Sequence, residues 1–195
     1  MGIRLILLGG SGAGKGTQAA RLAKRFALPT LSTGDLMRDA MASEAAASAE
    51  LAELASQARP YVERGELVPD SLMINFIRQR LQQPDMGQGW ILEGYPRTAF
   101  QAEELDFLLE ELGQTLNQAV WLEVPRDELV QRSLARSRSD DALETVQRRI
   151  DNLESFTKPL QDYYGYKKRL LVVDGSQPAD SVEQQIVEQL SVITP

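Results

Sequence analysis

The chain holds no cysteine and no histidine among its 195 residues. Without cysteine there is no disulfide, no thiol nucleophile and no thiolate zinc site. Without histidine there is no imidazole for acid–base work, and the commonest metal ligand is missing as well. Zinc is therefore not expected. A surplus of positive charge is also lacking: 21 Lys plus Arg stand against 28 Asp plus Glu, for a net charge of −7. That balance argues against a protein that coats nucleic acid. Long apolar runs are absent too. Leu5 to Leu8 and Leu170 to Val173 reach about one fifth of the ~20 residues that a membrane-spanning helix needs, so no membrane partner is expected. The N-terminus enters a strand pattern at once, which predicts no signal peptide and a cytoplasmic location. No linker rich in Pro, Ser or Gly divides the chain, and a single domain over 1–195 is expected, with a monomer as the default.

What is present alternates between two periods. Ile3 to Leu8, Trp90 to Leu92, Ala119 to Leu122 and Leu170 to Val173 read as short strands that are apolar throughout, and Pro29 to Leu31 is a weaker fifth. Ala19, Leu22, Ala23 and Phe26 follow helical spacing, as do Leu51, Leu54, Ala55 and Ala58, and again Met73, Phe76, Ile77 and Leu81. Strands that alternate with helices predict an α/β fold whose parallel sheet is covered by helices on both faces. Between Ser32 and Val68 no strong strand occurs, and the stretch reads as mostly helical.

The first strand runs into Gly9-Gly10-Ser11-Gly12-Ala13-Gly14-Lys15-Gly16-Thr17. This matches a phosphate-binding loop, with Gly16 inserted before Thr17. Glycines let successive backbone N–H groups turn toward one point, and the helix that follows adds its positive N-terminus. Lys15 brings a point charge for the outer phosphates, and Thr17 a hydroxyl near a magnesium ion. The loop predicts a nucleoside triphosphate ligand. It does not separate a kinase from a GTPase or an ATPase.

Two further stretches admit two readings. Ser32 with Asp35 resembles a capping box, and Thr98 with Gln101 fits one outright. The second lies in Glu93-Gly94-Tyr95-Pro96-Arg97-Thr98, at the end of a strand, where open parallel sheets bind ligands. Gly94 permits close approach, and Arg97 offers a planar fork suited to phosphate. Six of the 16 Arg fall between Arg126 and Arg149. Such a cluster is either a solvated helix face or a phosphate cleft. At about 100° per residue, Arg132 and Arg136 share a face with Leu129. Leu143, Val146, Ile150 and Leu153 form one stripe that Arg149 borders, so Arg149 is expected inward and Arg148 toward water.

Together these motifs resemble the nucleoside monophosphate kinases, the adenylate kinases most closely. The resemblance rests on Gly9 to Gln18, Leu31 to Arg38, Gly65 to Asp70, Gly89 to Gln101, Asp127 to Arg138 and Asp140 to Arg149, in that order along nearly the whole chain. It implies a P-loop kinase core with a five-stranded parallel sheet, a helical AMP-binding insertion over 32–68 and a short lid over 136–142. The implied reaction is reversible, Mg2+-dependent transfer from ATP to AMP, giving two ADP and serving nucleotide homeostasis and AMP salvage. ATP, AMP and ADP are the implied partners.

The resemblance also implies roles. Gly12, Ala13, Gly14, Lys15, Gly16 and Thr17 would cradle ATP, with Arg136, and with Gln177 near the base. Thr33 and Gln101 would recognise adenine of AMP; Glu66, Leu67 and Val68 would lie beside it. Gly94, Tyr95 and Pro96 would complete the AMP site, and Arg38 and Arg97 would hold its phosphate. Lys15, Arg97, Arg132, Arg136, Arg138 and Arg149 would clamp the phosphates during transfer, Arg138 and Arg149 also touching AMP. Asp140 and Asp141 would orient lid arginines. Thr17 and Glu93 would stand near the magnesium ion. Ser11 replaces the usual Pro, and Glu93 the usual Asp. No general base is implied, because the attacking phosphate is already an anion.

Two alternatives remain open at the level of sequence. A UMP/CMP kinase shares the Arg138-Ser139-Asp140-Asp141 stretch, but the hydroxyl of Thr33 favours adenine. A nucleotide-dependent switch shares the phosphate loop, but no Asn-Lys-x-Asp stretch is present.

Overall fold

The computed structural model describes residues 2–35, 37, 49–136 and 142–193. The first strand, β1 (Arg4–Leu8), leads through the glycine-rich loop into α1 (Lys15–Phe26), and β2 (Thr30–Ser32) follows. Residues 33–35 are helical, and α2 (Ala49–Arg64) and α3 (Asp70–Leu81) come next. Then β3 (Trp90–Glu93), α4 (Ala99–Glu111), β4 (Gln118–Glu123), α5 (Arg126–Arg136) and α6 (Leu143–Asn152) alternate. A π-helical turn at Leu153–Thr157 precedes α7 (Leu160–Tyr166), β5 (Leu170–Asp174) and α8 (Ala179–Ile193).

All five strands are parallel, in the order β2-β3-β1-β4-β5. The five expected strands are all present, each shifted or extended by a residue or so. Side chains alternate across the sheet as the period of two requires. Ile6, Leu8, Leu92 and Trp121 pack with Phe76, Leu105 and Tyr164 on one face. Leu5, Leu7, Ile91 and Val120 pack with Leu22, Ile150 and Ile186 on the other. Each such side chain, once fully buried, contributes about 1.5–3 kcal/mol, so a sheet covered on both faces is strongly favoured over an open one. One expected stripe member departs: Leu143, in the first turn of α6, is exposed, while Val146 and Ile150 are buried.

The strand order reverses direction at β1. The chain first builds outward to β2 on one side, then to β4 and β5 on the other. Loops leaving β1 and β3 at their carboxyl ends therefore diverge and leave a crevice, the place where open α/β sheets hold ligands. Leu7 is in register with Glu93, so the glycine loop and Glu93 leave the sheet side by side. Part of the expected insertion over 32–68 lies within the described residues; it is helical over 33–35 and 49–64 and irregular over 65–68. The centre of the expected lid, 137–141, lies outside the described residues.

Candidate active site

A cleft of about 490 Å³ opens at that crevice. Its floor is the loop from Gly9 to Thr17 without Ala13, and its walls carry Glu93, Gly94, Pro96, Arg97, Arg132, Arg136 and Arg149. The loop's shape depends on glycine at Gly12 (φ +86°), where a Cβ would lie 2.6 Å from the Leu129 carbonyl oxygen. Helix α5 thus packs backbone to backbone on the phosphate loop. Gly14 (φ 91°) caps α1, whose first helical residue is Lys15. The N-terminus of a twelve-residue helix therefore faces the cleft with its positive dipole end.

Among the described residues five cationic side chains line this one space: Lys15, Arg97, Arg132, Arg136 and Arg149. Several donate to backbone carbonyls. Nζ of Lys15 donates to the carbonyls of Gly9 and Gly10 at 2.9 and 2.8 Å. Nε of Arg97 donates to Gly94 O at 2.8 Å, and Nη2 of Arg149 to Val62 O at 3.4 Å. Arg132 donates to the carbonyls of Gly175 and Ser176 at 2.8 and 3.2 Å and pairs with Glu128 at 2.6 Å. Nη2 of Arg136 reaches Ser11 Oγ at 3.3 Å. Phosphate oxygens are stronger acceptors than carbonyls for these cations, because they carry the opposite charge and pair with a guanidinium in bidentate fashion. The same cations can exchange these bonds for a polyphosphate without rebuilding the cleft.

The opposite end of the cleft is built for a flat, partly apolar group. Met37, Val62, Leu67, Val68 and Met73 line it beside Thr33 and Gln101. Thr33 is buried, and its hydroxyl donates to Glu93 O at 3.3 Å. Gly94 (φ +86°) passes so close that a Cβ would lie 2.5 Å from Thr33 Oγ1. The side chain of Thr98 accepts from Gln101 N at 3.1 Å, forming half of the expected capping box. The reciprocal half differs: Oε1 of Gln101 accepts from the N–H of Arg97, one residue before the cap, at 2.7 Å. Nε2 of Gln101 donates to Asp70 Oδ1 at 2.7 Å.

A model of the adenylate kinase family matches residues 7–169. The chain belongs to the adenylate kinase family. Adenylate kinase 2 of Nostoc sp. is 49% identical over 190 residues, covering 97% of this chain and all of that protein. Adenylate kinase 2 of Synechocystis sp. is 49% identical over 188 residues, 96% of this chain and all of that protein. Adenylate kinase of Clostridium perfringens is 36% identical over 221 aligned positions, 97% of this chain and 98% of that protein. An alignment longer than this chain means that the last relative carries inserted residues. Membership makes the chain an enzyme, a phosphotransferase with a phosphate group as acceptor.

Against the expectations for an adenylate kinase site, most named residues share the cleft, and three stand elsewhere. Tyr95 is fully buried, and its hydroxyl donates to Gln101 O at 3.1 Å; its side chain packs in the core rather than against the cleft. The Tyr95–Pro96 bond is cis. Ala13 is buried beneath the loop, and its N–H donates to Gly10 O at 3.1 Å. Gln177 lies outside the cleft and donates to Asp174 Oδ2 at 2.9 Å. Hydrogen bonds from Ser176 and Gln177 hold the Asp174 carboxyl below the usual carboxylate range and tighten that turn. Arg38, Arg138, Asp140 and Asp141 lie outside the described residues. Arg149 faces the cleft as its helical position predicts. Arg148 is exposed, yet it donates to Arg64 O at 2.8 Å, a contact that its position on the outer face did not suggest.

Sequence reasoning missed several participants. Oγ of Ser32 donates to Glu93 Oε1 at 2.5 Å and accepts from Asp35 N at 3.3 Å, so its capping role and its grip on Glu93 coexist. Asn152 donates to Gly65 O at 3.1 Å and Thr157 to Arg97 O at 2.9 Å, which fastens the end of α6 to both walls. The π-helical turn between them was a possible signal only at the level of structure.

Glu93 and Thr17 both line the cleft, and a Cβ on Gly16 would lie 3.9 Å from Glu93 Oε1, which places the carboxylate against the start of α1. Hard oxygen donors of this kind fit Mg2+. Among the described residues no group of three or more metal-ligating side chains occurs. An ion there would take most of its ligands from nucleotide phosphates and water, as Mg2+ commonly does.

Proposed function

We propose that this cleft carries out reversible transfer of the terminal phosphoryl group of MgATP to AMP, giving two ADP. One observation carries the reading: a phosphate loop with Lys15 and a base pocket with Thr33 and Gln101 open into the same cleft, with arginines between them. A switch needs one nucleotide site, whereas two ends joined by a cationic middle suit a donor and an acceptor.

In this reading the loop from Gly12 to Thr17 and the N-terminus of α1 bind the donor phosphates. Arg97 and Arg149 bind the acceptor phosphate, and Arg132 and Arg136 stand along the path of the transferred group. Arg38 and Arg138 belong to the same clamp, with the lid at 136–142 excluding water, which would otherwise act as acceptor. The guanidinium groups stabilise charge that spreads over the phosphoryl oxygens in transit. Mg2+, held with ATP by Thr17 and Glu93, would neutralise charge on the donor phosphates. Thr33, Gln101 and the strip from Glu66 to Val68 hold the acceptor base. The same reading takes the chain as a cytoplasmic monomer working on free nucleotides; its net charge of −7 favours solubility, and no described helix is long and apolar enough to cross a membrane.

Incubation of the pure protein with MgATP and AMP, UMP, CMP or GMP in parallel tests this. ADP formed from AMP far faster than diphosphate from the others is the expected result. Faster use of UMP or CMP overturns the choice of acceptor. Tight nucleotide binding with no acceptor used overturns the transfer reading.

A further inference from the structure

Asp70 sits in the first turn of α3, and its carboxylate takes no part in the phosphate chemistry just described. It accepts from Nε2 of Gln101 at 2.7 Å, while the backbone N–H of Arg97 donates to Oε1 of the same side chain at 2.7 Å. Gln101 is 2% exposed and lines the base end of the cleft. An ionised carboxylate only accepts, and a backbone N–H only donates. The two groups therefore grip opposite ends of one amide in a single orientation. A flipped amide would set its oxygen against the carboxylate and its NH2 against a donor, and both contacts would be repulsive.

Each amide end has one bond left: one N–H on Nε2 and one lone pair on Oε1. A base edge that complements this pair must offer one acceptor and one donor in fixed order. A 6-aminopurine offers a ring nitrogen and an amino N–H. A 6-oxopurine offers the same two positions with the roles exchanged. A freely turning glutamine would serve both. We propose that Asp70 is a specificity-determining positioning residue, which locks the Gln101 amide in the orientation that accepts a 6-aminopurine monophosphate and rejects a 6-oxopurine monophosphate. The proposal rests on the reading of Gln101 as a contact of the acceptor base.

Asp70→Asn tests it, because an asparagine side chain can either accept from or donate to the glutamine. The measurement is kcat/KM for AMP and for IMP, which share ribose and phosphate and differ in the 6-substituent, so that the ratio cancels any general loss. The ratio should fall about tenfold, the weight of one hydrogen bond, because Arg97 N–H still holds the other end. The KM for MgATP should not follow. Asp70→Glu, which can still only accept, should restore part of the preference. An unchanged AMP-to-IMP ratio in Asp70→Asn overturns the proposal and leaves the kinase reading intact. A wild-type enzyme that uses IMP as well as AMP also overturns the proposal, whereas one that uses neither overturns the underlying kinase reading instead. Should the variants fail to fold, nitrogen-15 NMR of the wild type decides. One Gln101 side-chain N–H, assigned by its loss in Gln101→Met, should exchange slowly with solvent; fast exchange of both overturns the lock.

Discussion

A Cβ on Gly12 would lie 2.6 Å from the carbonyl oxygen of Leu129 and 2.9 Å from Ser133 Oγ. The phosphate loop is thus seated on the backbone of α5, the helix that carries Arg132 and Arg136. Gly12→Ala must push the loop or the helix away, because the Leu129 carbonyl belongs to the helix backbone and cannot swing aside. It should weaken ATP binding at least tenfold and lower the melting temperature. Gly14→Ala meets nothing within 4 Å and carries only the strain of φ +91°, about 1–2 kcal/mol. Melting curves with and without MgATP separate the two: the nucleotide-induced rise should vanish in Gly12→Ala and persist, reduced, in Gly14→Ala.

Nζ of Lys15 donates to Gly9 O and Gly10 O within its own loop. Lys15→Met removes the loop's charge and should cut phosphoryl transfer by at least ~10²-fold. Melting curves with and without MgATP separate lost binding from lost stability: the nucleotide-induced rise should shrink or vanish in the variant. Near-normal turnover would show that another cation holds the phosphates.

Glu93 reaches Ser32 rather than a cation among its described bonds, at 2.5 Å. Glu93→Gln keeps the shape and removes the charge that would favour a metal ion beside the donor phosphates. The Mg2+ concentration for half-maximal rate should rise about tenfold, the scale of one lost charge-assisted contact. A Mg2+ titration of initial rate at fixed ATP checks this; an unchanged midpoint removes Glu93 from the metal site.

The hydroxyl of Tyr164 is buried and has no hydrogen-bond partner among the described residues, whereas that of Tyr95 donates to Gln101 O. Tyr164→Phe should raise stability at neutral pH by ~1 kcal/mol, or about 2–4 °C, and Tyr95→Phe should lower it by a similar amount. Burial pushes both phenols well above the ordinary value near 10. A group whose pKa is raised on folding holds its proton longer in the native state, so its contribution is complete below the unfolded pKa. It is lost as pH rises through the window above about 10. Urea melts at pH 8 and above pH 10 should show an alkaline loss that is smaller in Tyr164→Phe.

Much of the architecture was legible because buried parallel strands are apolar throughout and their helices are not. Ile3 to Leu8 and Trp90 to Leu92 needed no tertiary information to be read as strands. The phosphate loop was legible because its chemistry is contiguous: glycines, a lysine and a helix start follow one another. The inward turn of Arg149 followed from its angle to Val146 and Ile150. Which way the Tyr95 ring turns is not legible from its proximity in sequence to Arg97; the ring is fully buried in the core, where it gains most. Arg148 stands in solvent as its helical position predicts, and its bond to Arg64 O requires the end of α2 to be brought to α6.

The sequence by itself determined the strand–helix alternation, the ligand class of the first loop and the absence of thiol and imidazole chemistry, since these depend on residue identity and short-range spacing. Only the tertiary structure decided that Asp70, 31 positions away, holds the amide of Gln101, and that Leu129 and Gly12 touch backbone to backbone. Such contacts are set by where the sheet order reverses and how closely helices pack on the loops that leave it. That is a property of the packed chain, and no local pattern of residues encodes it.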